Sequence, residues 1–322
     1  MSHSKPYAVG IDIGGTNTVM GIVDTRGKVV TSSSIKTGQY IEIEDYIDAV
    51  SASLRVLMAG VGGPHMIAGI GIGAPNANYY TGNIEHAANL PWKGIVPLAE
   101  LLFEKFGIPV AVTNDANAAA IGEMTYGVAR GMRDFIMITL GTGVGSGIVV
   151  GGRLVYGHDG FAGELGHVKV QKGGRLCGCG NRGCLETYCS ATGVARTARE
   201  FLTERDTPSS LRSLDIESIT SKDVFDAAMN GDDLAREIFD YTGRIMGEAF
   251  ADFVAFSAPE AIVLFGGLAH AGELLRAPIV EAMEANLLTC WKGKVKVLFS
   301  ELKAADAAVL GASALAWSAK HN

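Results

Sequence analysis

Short apolar runs that end near glycines alternate with amphipathic stretches along this chain. The apolar runs predict strands at residues 7–13, 17–23, 28–33, 66–73, 108–113, 135–140, 148–150, 261–264 and 295–299. The amphipathic stretches predict helices at residues 43–59, 96–106, 116–126, 187–204, 223–229, 232–257, 273–287 and 307–318. The polar stretch at residues 205–222 predicts a loop. Strands that alternate with helices indicate a mostly parallel sheet covered on both faces, so we expect an α/β fold.

One part of this pattern occurs twice. Residues 11–16 (IDIGGT) and residues 138–143 (ITLGTG) each place a strand before a glycine turn and a second strand. In each copy another glycine turn with a basic residue follows, Gly27-Lys28 and Gly152-Arg153, and then a further strand. The repeat predicts two similar α/β halves with a cleft between them.

Length and charge restrict the class of protein. A chain of 322 residues favours two domains over one. The net charge of −7 and the scattered lysines and arginines disfavour nucleic acid and an anionic membrane surface as partners. The N-terminal segment lacks the layout of a signal peptide, and no apolar stretch approaches the length of about 20 residues that spans a bilayer. We therefore expect a cytoplasmic protein, in which clustered cysteines indicate a metal or chemistry rather than disulfides.

A glycine-rich stretch at residues 163–186 contains three of the five cysteines. Cys177, Cys179 and Cys184 form a C-x-C-x4-C array that begins ten residues after His167. Zinc prefers four thiolate or imidazole ligands in a tetrahedron, and the interspersed glycines allow the sharp turns that one ion would require. The spacing predicts a Cys3His zinc site. The alternative is three buried thiols beside an unrelated histidine.

The first glycine turn has the composition of a phosphate-binding loop. Asp12 stands at a strand end and is followed by Gly14, Gly15 and Thr16. Bare backbone N–H groups at such a turn can reach phosphate oxygens, and the carboxylate could hold the magnesium that accompanies a nucleotide. Taken singly, the same residues are also compatible with an ordinary tight turn.

The second glycine turn repeats this chemistry at residues 140–147 (LGTGVGSG). It is not a Walker A loop, because no G-K-[ST] follows, and the strand after it argues against a Rossmann motif. The predicted nucleotide-binding residues are Thr139, just before this turn, and Gly141, Thr142 and Gly143 within it. Gly266 and Gly267 follow another buried strand and would let an adenine or ribose approach the backbone.

Asp115 is the candidate catalytic residue. It follows Asn114 at the end of a predicted strand, where open α/β sheets bind ligands. Transfer of a γ-phosphoryl group needs an acceptor for the proton of the attacking hydroxyl, and an aspartate can serve. The alternative is a helix N-cap, for which both residue types are suited. Asn114 could be the cap while Asp115 faces the cleft.

Four further polar residues are candidates for sugar binding. Glu164 and Glu186 flank the cysteine array, and carboxylates bind pairs of neighbouring hydroxyls, although solvated surface glutamates are the alternative. Asn89 lies in a long loop and could bond a sugar hydroxyl. His167, with one ring nitrogen on zinc, would keep the other free to donate a hydrogen bond.

Taken together, these motifs resemble the ROK family of bacterial sugar kinases and sugar-responsive repressors, over nearly the whole chain. The motifs that carry the resemblance are D-x-G-G-T at 12–16, N-D-A-N at 114–117, L-G-T-G-V-G at 140–145, G-E-x-G-H at 163–167 and C-G-C-G-x-x-G-C-L-E at 177–186. The resemblance implies a two-domain actin-like ATPase (ribonuclease H-like) fold in which ATP and a sugar meet in the interdomain cleft.

The resemblance also implies roles for individual residues. Asp115 would be the base that acts on a sugar hydroxyl. The sugar would be ringed by Asn89, Asn114, Asp115, Glu164, His167 and Glu186, and a structural zinc would be bound by His167, Cys177, Cys179 and Cys184. The implied cofactors are ATP, Mg²⁺ and structural Zn²⁺. We expect a small domain at residues 1–115 plus 303–322, and a larger domain with the zinc loop at residues 116–302.

Within the family, the chain resembles a glucokinase. Because it begins directly at the phosphate strand, we expect no helix-turn-helix of the kind that the family's repressors carry. It departs from the family at residues 74–76 (APN), where G-x-P-G is usual, and at residues 86–88 (HAA). The alternatives are a kinase for N-acetylglucosamine, N-acetylmannosamine, fructose or allose, a non-catalytic sugar sensor, and a zinc-binding interaction module. The family further suggests a homodimer or homotetramer.

Overall fold

The first sheet of the computed structural model, which describes residues 5–302 and 304–318, has five strands in the order β3-β2-β1-β4-β7. These strands are β1 (Tyr7–Ile13), β2 (Asn17–Asp24), β3 (Val29–Lys36), β4 (Ile67–Gly73) and β7 (Val110–Thr113). β2 and β3 run antiparallel to their neighbours, whereas β1, β4 and β7 are parallel. A separate two-stranded ribbon joins β5 (Ile84–Glu85) and β6 (Ile95–Val96).

The second sheet repeats this topology. Its order is β10-β9-β8-β11-β12, with the first three strands antiparallel and β8, β11 and β12 parallel. The strands are β8 (Phe135–Leu140), β9 (Val144–Val150), β10 (Arg153–Leu154), β11 (Ala261–Phe265) and β12 (Lys296–Phe299). The predicted internal repeat is therefore confirmed, and Asp12 in β1 corresponds to Thr139 in β8.

Helices cover the sheets. They are α1 (Ile43–Ala59), α2 (Leu98–Phe106), α3 (Asp115–Tyr126), α4 (Glu186–Cys189), α5 (Ala191–Glu204), α6 (Ser221–Met229), α7 (Asp233–Ser257), α8 (Glu273–Asn286) and α9 (Ala304–Ser318). The outer face of the first sheet packs on α1 and α2, and that of the second sheet packs on the group from α5 to α8. No helix in the described part of the chain is both long and apolar enough to cross a membrane.

Most predicted elements lie within three residues of their observed bounds, and three predictions differ more. The single helix predicted at 187–204 is broken at Ser190, whose side chain caps α5 by accepting from the Gly193 N–H group at 3.0 Å. The predicted loop at 205–222 contains two 3₁₀ turns, and α6 begins at Ser221 through a capping box between Thr220 and Asp223.

The strand predicted at 148–150 in fact begins at Val144. Gly145 and Gly147 suggested a turn in the sequence, but they lie within β9 because α3 packs closely on it. A Cβ atom on Gly147 would lie 2.7 Å from Cβ of Ala120, and one on Gly145 would lie 3.0 Å from Cβ of Ala116. These glycines therefore permit a close helix–strand contact rather than a chain reversal.

Two helices fill the space between the sheets. α9 packs on β1 and β4, α3 packs on β8 and β9, and the two helices pack on each other. A side chain on Gly10 would overlap the carbonyl of Val309, and one on Gly71 would overlap that of Ala312. One on Gly311 would overlap the carbonyl of Ala118. The backbone of α9 is therefore in direct contact with the backbones of β1, β4 and α3.

The predicted domain boundaries stay a prediction. α9 packs on the first sheet, as expected for residues that belong to the small domain. Residues 1–4, 303 and 319–322 lie outside the described residues.

Substitution of Gly71 tests the close packing of α9 on β4. We expect Gly71→Ala to lower the free energy of unfolding by about 3 kcal/mol, because the new methyl group overlaps the Ala312 backbone and forces the two elements apart. Gly60→Ala is the matched control, since Gly60 is exposed and has a φ of −64° that alanine adopts freely; its effect should stay within about 0.5 kcal/mol. Urea denaturation of both variants would measure the difference, and equal effects would contradict the packing argument.

Candidate functional site

A cavity of about 520 Å³ lies where the ends of both sheets meet the N-terminus of α3. It brings together most of the residues that the sequence singled out. Its lining includes Asp12, Asn89, Asn114, Asp115, Thr139, Gly141, Thr142, Gly143, Glu164, His167, Glu186 and Gly266. Gly14, Gly15 and Thr16 form the turn between β1 and β2 and are not among its lining residues, whereas Gly267 lines an adjoining cavity.

The β1–β2 turn nevertheless contacts the loop that carries Asn89. A Cβ atom on Gly15 would lie 2.6 Å from the carbonyl oxygen of Asn89, so only glycine fits there without displacing the loop. The Gly14 N–H group donates to the carbonyl of Asn17 at 2.9 Å and closes the turn. The first glycine turn thus packs against the backbone of a residue predicted to bind the sugar.

The sequence left open which of Asn114 and Asp115 caps the helix and which faces the cleft, and the structure separates these two roles. The Asn114 side chain caps α3 by accepting from the Asn117 N–H group at 2.6 Å. Asp115 is the first residue of α3, and its Oδ1 accepts from the Ala116 N–H group at 2.8 Å. The helix N-terminus carries a partial positive charge, which favours a carboxylate at this position. Asp115 is therefore oriented by the helix while its side chain faces the cavity.

Asp12 and Asp115 both have raised pKa values. Although the Asp115 side chain is accessible from the cavity, it lies deep among protein atoms, and this desolvation raises its pKa. Burial raises the pKa of Asp12 to about 6, and the nearby charge of Asp115 adds to the increase. Two carboxylates with raised pKa values at the end of one cavity are typical of a site for proton transfer or cation binding.

The two glutamates that flank the cysteine array face the same cavity. Glu186 Oε2 accepts from the Val144 N–H group at 3.0 Å, which fixes it beside the second glycine turn. Glu164 Oε2 lies 4.0 Å from Nε2 of His167. The side chain of Glu164 is 54% exposed and lines the cavity. The structure therefore places both carboxylates where a polyhydroxylated ligand could reach them.

Sequence reasoning missed Asn76 as a lining residue, although it noted that residues 74–76 depart from the family pattern. Asn76 has a φ of +53°, in the left-handed region that glycine favours and that asparagine tolerates better than other residues. Its Nδ2 donates to the carbonyl of Glu85 at 3.1 Å and approaches that of His86 at 3.5 Å. A side chain at this position therefore replaces the open space that a glycine would leave at the cavity rim.

The array predicted to bind zinc is assembled in space. The donor atoms of His167, Cys177, Cys179 and Cys184 all lie within 4.8 Å of one another. The Sγ atoms of Cys179 and Cys184 are 3.7 Å apart, as are Cys177 Sγ and His167 Nδ1. A tetrahedron with zinc–sulfur bonds of about 2.3 Å has edges of about 3.8 Å, so the donor set fits the ion. The Nδ1 atom of His167 faces the cluster, and its Nε2 atom faces Glu164.

A second cavity of about 500 Å³ adjoins the first and shares Leu140, Gly141 and Thr142 with it. Its other walls come from α6 and from the turn after β11. Sequence reasoning missed its side chains, which include Lys222, Phe225, Asp226 and His270. The sequence signal that could have pointed to this wall is the capping box at residues 220–223, because it marks the start of α6.

Comparison with known proteins places these features in a family. A model of the ROK family matches residues 8–319. The chain is 40% identical to the glucokinase of Halalkalibacterium halodurans over 298 residues, which cover 88% of this chain and 87% of that enzyme. It is 34% identical to the glucokinase of Thermotoga maritima, with 97% of each chain covered.

A solved structure supports the same conclusion. The crystal structure of a ROK family glucokinase from Streptomyces griseus in complex with glucose and AMPPNP matches with a TM-score of 0.79 at 33% identity. The match covers 97% of this chain and 99% of that one. The predicted two-domain actin-like ATPase fold is thereby confirmed.

Proposed function

This chain belongs to the ROK family, and on that premise we propose that it is an ATP-dependent glucokinase that transfers the γ-phosphoryl group of ATP to the 6-hydroxyl of glucose. Its glucokinase relatives are 40% and 34% identical over most of its length, and the similar Streptomyces griseus enzyme was solved with glucose and AMPPNP. The observation that carries the proposal is the single cavity that joins Asp12, Asp115 and the second glycine turn to Glu164, His167 and Glu186.

The nucleotide would span the two adjoining cavities. Their shared wall is the turn at Gly141 and Thr142, so a phosphate chain on this turn has access to both cavities. The adenosine would occupy the second cavity, where Phe225 and Leu268 offer apolar surface near Gly267. Asp12 would hold Mg²⁺, directly or through water, because hard cations prefer carboxylate oxygens. The magnesium would neutralise charge on the transferred phosphoryl group.

Glucose would occupy the first cavity. Asp115 would accept the proton of the 6-hydroxyl as that oxygen attacks the γ-phosphorus. Ionised carboxylates only accept hydrogen bonds, so Glu164 and Glu186 suit sugar hydroxyls, which donate. The amides of Asn89 and Asn114 and the free nitrogen of His167 supply further polar contacts. Closure of the cleft would exclude water, so that the phosphoryl group reaches the sugar rather than solvent.

We also propose one structural zinc ion bound by His167, Cys177, Cys179 and Cys184. Four protein ligands leave zinc no open position, so it would take no part in the transfer itself. The ion would hold the loop that carries Glu164, His167 and Glu186 in one conformation. Zinc binding requires reduced thiols, which favours a cytoplasmic location.

The remaining partner assignments stay predictions. We expect no nucleic-acid or membrane partner, and a homodimer or homotetramer. A non-catalytic sensor would need neither Asp12 nor Asp115, yet both line the cavity beside the glycine turn. Their presence favours the enzyme over the sensor.

Substitution of Asp115 tests the general base. We expect Asp115→Asn to lower kcat by about 10²- to 10⁴-fold, because the amide cannot accept the hydroxyl proton. A coupled ADP-release assay with glucose, N-acetylglucosamine, N-acetylmannosamine, fructose and allose would measure turnover and sugar preference together. Asp206→Asn, which changes an exposed loop aspartate away from the cavity, should leave kcat unchanged. Undiminished turnover in Asp115→Asn would overturn the mechanism.

The pH dependence follows from the raised pKa values. Asp115 accepts a proton only when it is ionised, so activity is present above its pKa and is lost as pH falls through it. Burial raises that pKa, and it raises the pKa of Asp12 to about 6. We therefore expect kcat/KM for glucose to fall on acidification with a midpoint clearly above about 4, the usual value for aspartate. A pH–rate profile at saturating Mg²⁺ would show this, and a flat profile down to about pH 5 would contradict it.

Elemental analysis tests the zinc site. We expect one zinc ion per chain after purification, and its loss in Cys179→Ser. Zinc affinity in this variant should fall by more than about 100-fold, since loss of an outer-shell partner alone costs about 10- to 100-fold.

Thermal stability and glucose affinity should fall together in Cys179→Ser, because the ion holds the sugar-binding loop. Cys290→Ser is the control, as Cys290 is exposed and outside the cluster. If stability fell but glucose affinity held, the ion would not support the pocket.

A further inference from the structure

The N-terminus of α5 donates hydrogen bonds to the second glycine turn. The Ala191 N–H group donates to the carbonyl of Gly141 at 2.9 Å. The Thr192 hydroxyl donates to the carbonyl of Thr142 at 2.8 Å. Two successive carbonyls of the turn therefore bind to two successive residues of one helix end.

The hydroxyl of Thr192 has a fixed orientation. Its single proton goes to Thr142, so the 2.9 Å contact between Thr192 Oγ1 and Ser190 Oγ has Ser190 as the donor. Ser190 Oγ in turn accepts from the Gly193 N–H group at 3.0 Å, which caps α5. The contact to the turn is thus the end of a directed chain of hydrogen bonds anchored in the helix cap.

The orientation of these carbonyls determines where the N–H groups of the turn point. In a trans peptide the C=O of one residue and the N–H of the next point in opposite directions. Because the carbonyls of Gly141 and Thr142 point to α5, the N–H groups of Thr142 and Gly143 point away from it. N–H groups at such a turn can bond to phosphate oxygens. The same contacts keep two carbonyl oxygens, which would repel phosphate, turned away.

The same segment belongs to the sugar side of the site. Glu186 lies four residues before Ser190 and accepts from the Val144 N–H group at the other end of the turn. Cys184, a member of the cysteine cluster, lies just before Glu186. The stretch from 184 to 192 therefore connects the cluster and a sugar-facing carboxylate to both sides of the glycine turn.

We propose that Thr192 is a positioning residue for the ATP phosphates, which acts by orienting the peptides of residues 141–143. Thr192 itself does not line the first cavity, and its effect passes through the Thr142 carbonyl. The inference rests on the proposed kinase activity, since it assigns the phosphates of ATP to this turn.

Steady-state kinetics with three variants tests this role. Thr192→Val keeps the shape of the side chain and removes its hydroxyl, and Thr192→Ser keeps the hydroxyl. Thr203→Val is the matched control, because Thr203 lies in the same helix and its hydroxyl donates to the Arg199 carbonyl of that helix at 2.8 Å. KM for ATP, KM for glucose and kcat would be measured for each, together with AMPPNP affinity by calorimetry and the melting temperature.

We expect Thr192→Val to raise KM for ATP and the AMPPNP dissociation constant by about three- to tenfold, the effect of one lost hydrogen bond. KM for glucose should stay within twofold of the unmodified enzyme, and Thr192→Ser should restore ATP binding. Unchanged ATP binding in Thr192→Val, equal changes in both KM values, or failure of Thr192→Ser to restore binding would each overturn the inference. Absence of glucose-dependent turnover in the unmodified enzyme would instead overturn the proposed function.

Discussion

The close contact between α9 and α3, between the two sheets, is the constraint on which the rest of the structure depends. Glycines in β1, β4 and α9 allow backbone-to-backbone packing, at Gly10, Gly71 and Gly311. A side chain at Gly10 or Gly71 would push the first sheet away from α9, and one at Gly311 would push α9 away from α3. Because α3 begins at Asp115, the same packing sets the distance between the candidate base and the end of β1, where Asp12 stands. The core and the active site therefore share one geometric requirement.

The sequence predicted the elements whose local signals agree with their surroundings. The bounds of β1, α1 and β8 were correct, since their apolar patterns match the faces that they bury. β9 was predicted too short, because glycines that serve a helix contact look the same in sequence as glycines that serve a turn. The partner of Gly71 is Ala312, far along the chain, and no local pattern reveals such a contact.

For a related reason, the sequence predicted the metal cluster but not the second cavity. The donors of the metal cluster lie within a short stretch of sequence, so their spacing alone brought them together. The second cavity collects residues from 140–142, 191, 221–239 and 267–271, which only the fold unites. Asn76 is an intermediate case. The sequence shows that residues 74–76 depart from the family pattern, but only the fold shows the left-handed backbone of Asn76 and its place at the cavity rim.

Under the proposed kinase activity, the charge of this site would make nucleotide binding dependent on magnesium. Four carboxylates line the first cavity, from Asp12, Asp115, Glu164 and Glu186, and none of its described lining residues is a lysine or an arginine. An anionic phosphate chain entering this cavity would meet repulsion that only the N-terminus of α3 and the N–H groups of the glycine turn oppose. A divalent cation beside Asp12 would remove part of this repulsion and favour the ionised form of that carboxyl. The peptide orientation maintained by α5 matters for the same reason, because backbone dipoles take the place of the absent cationic side chains.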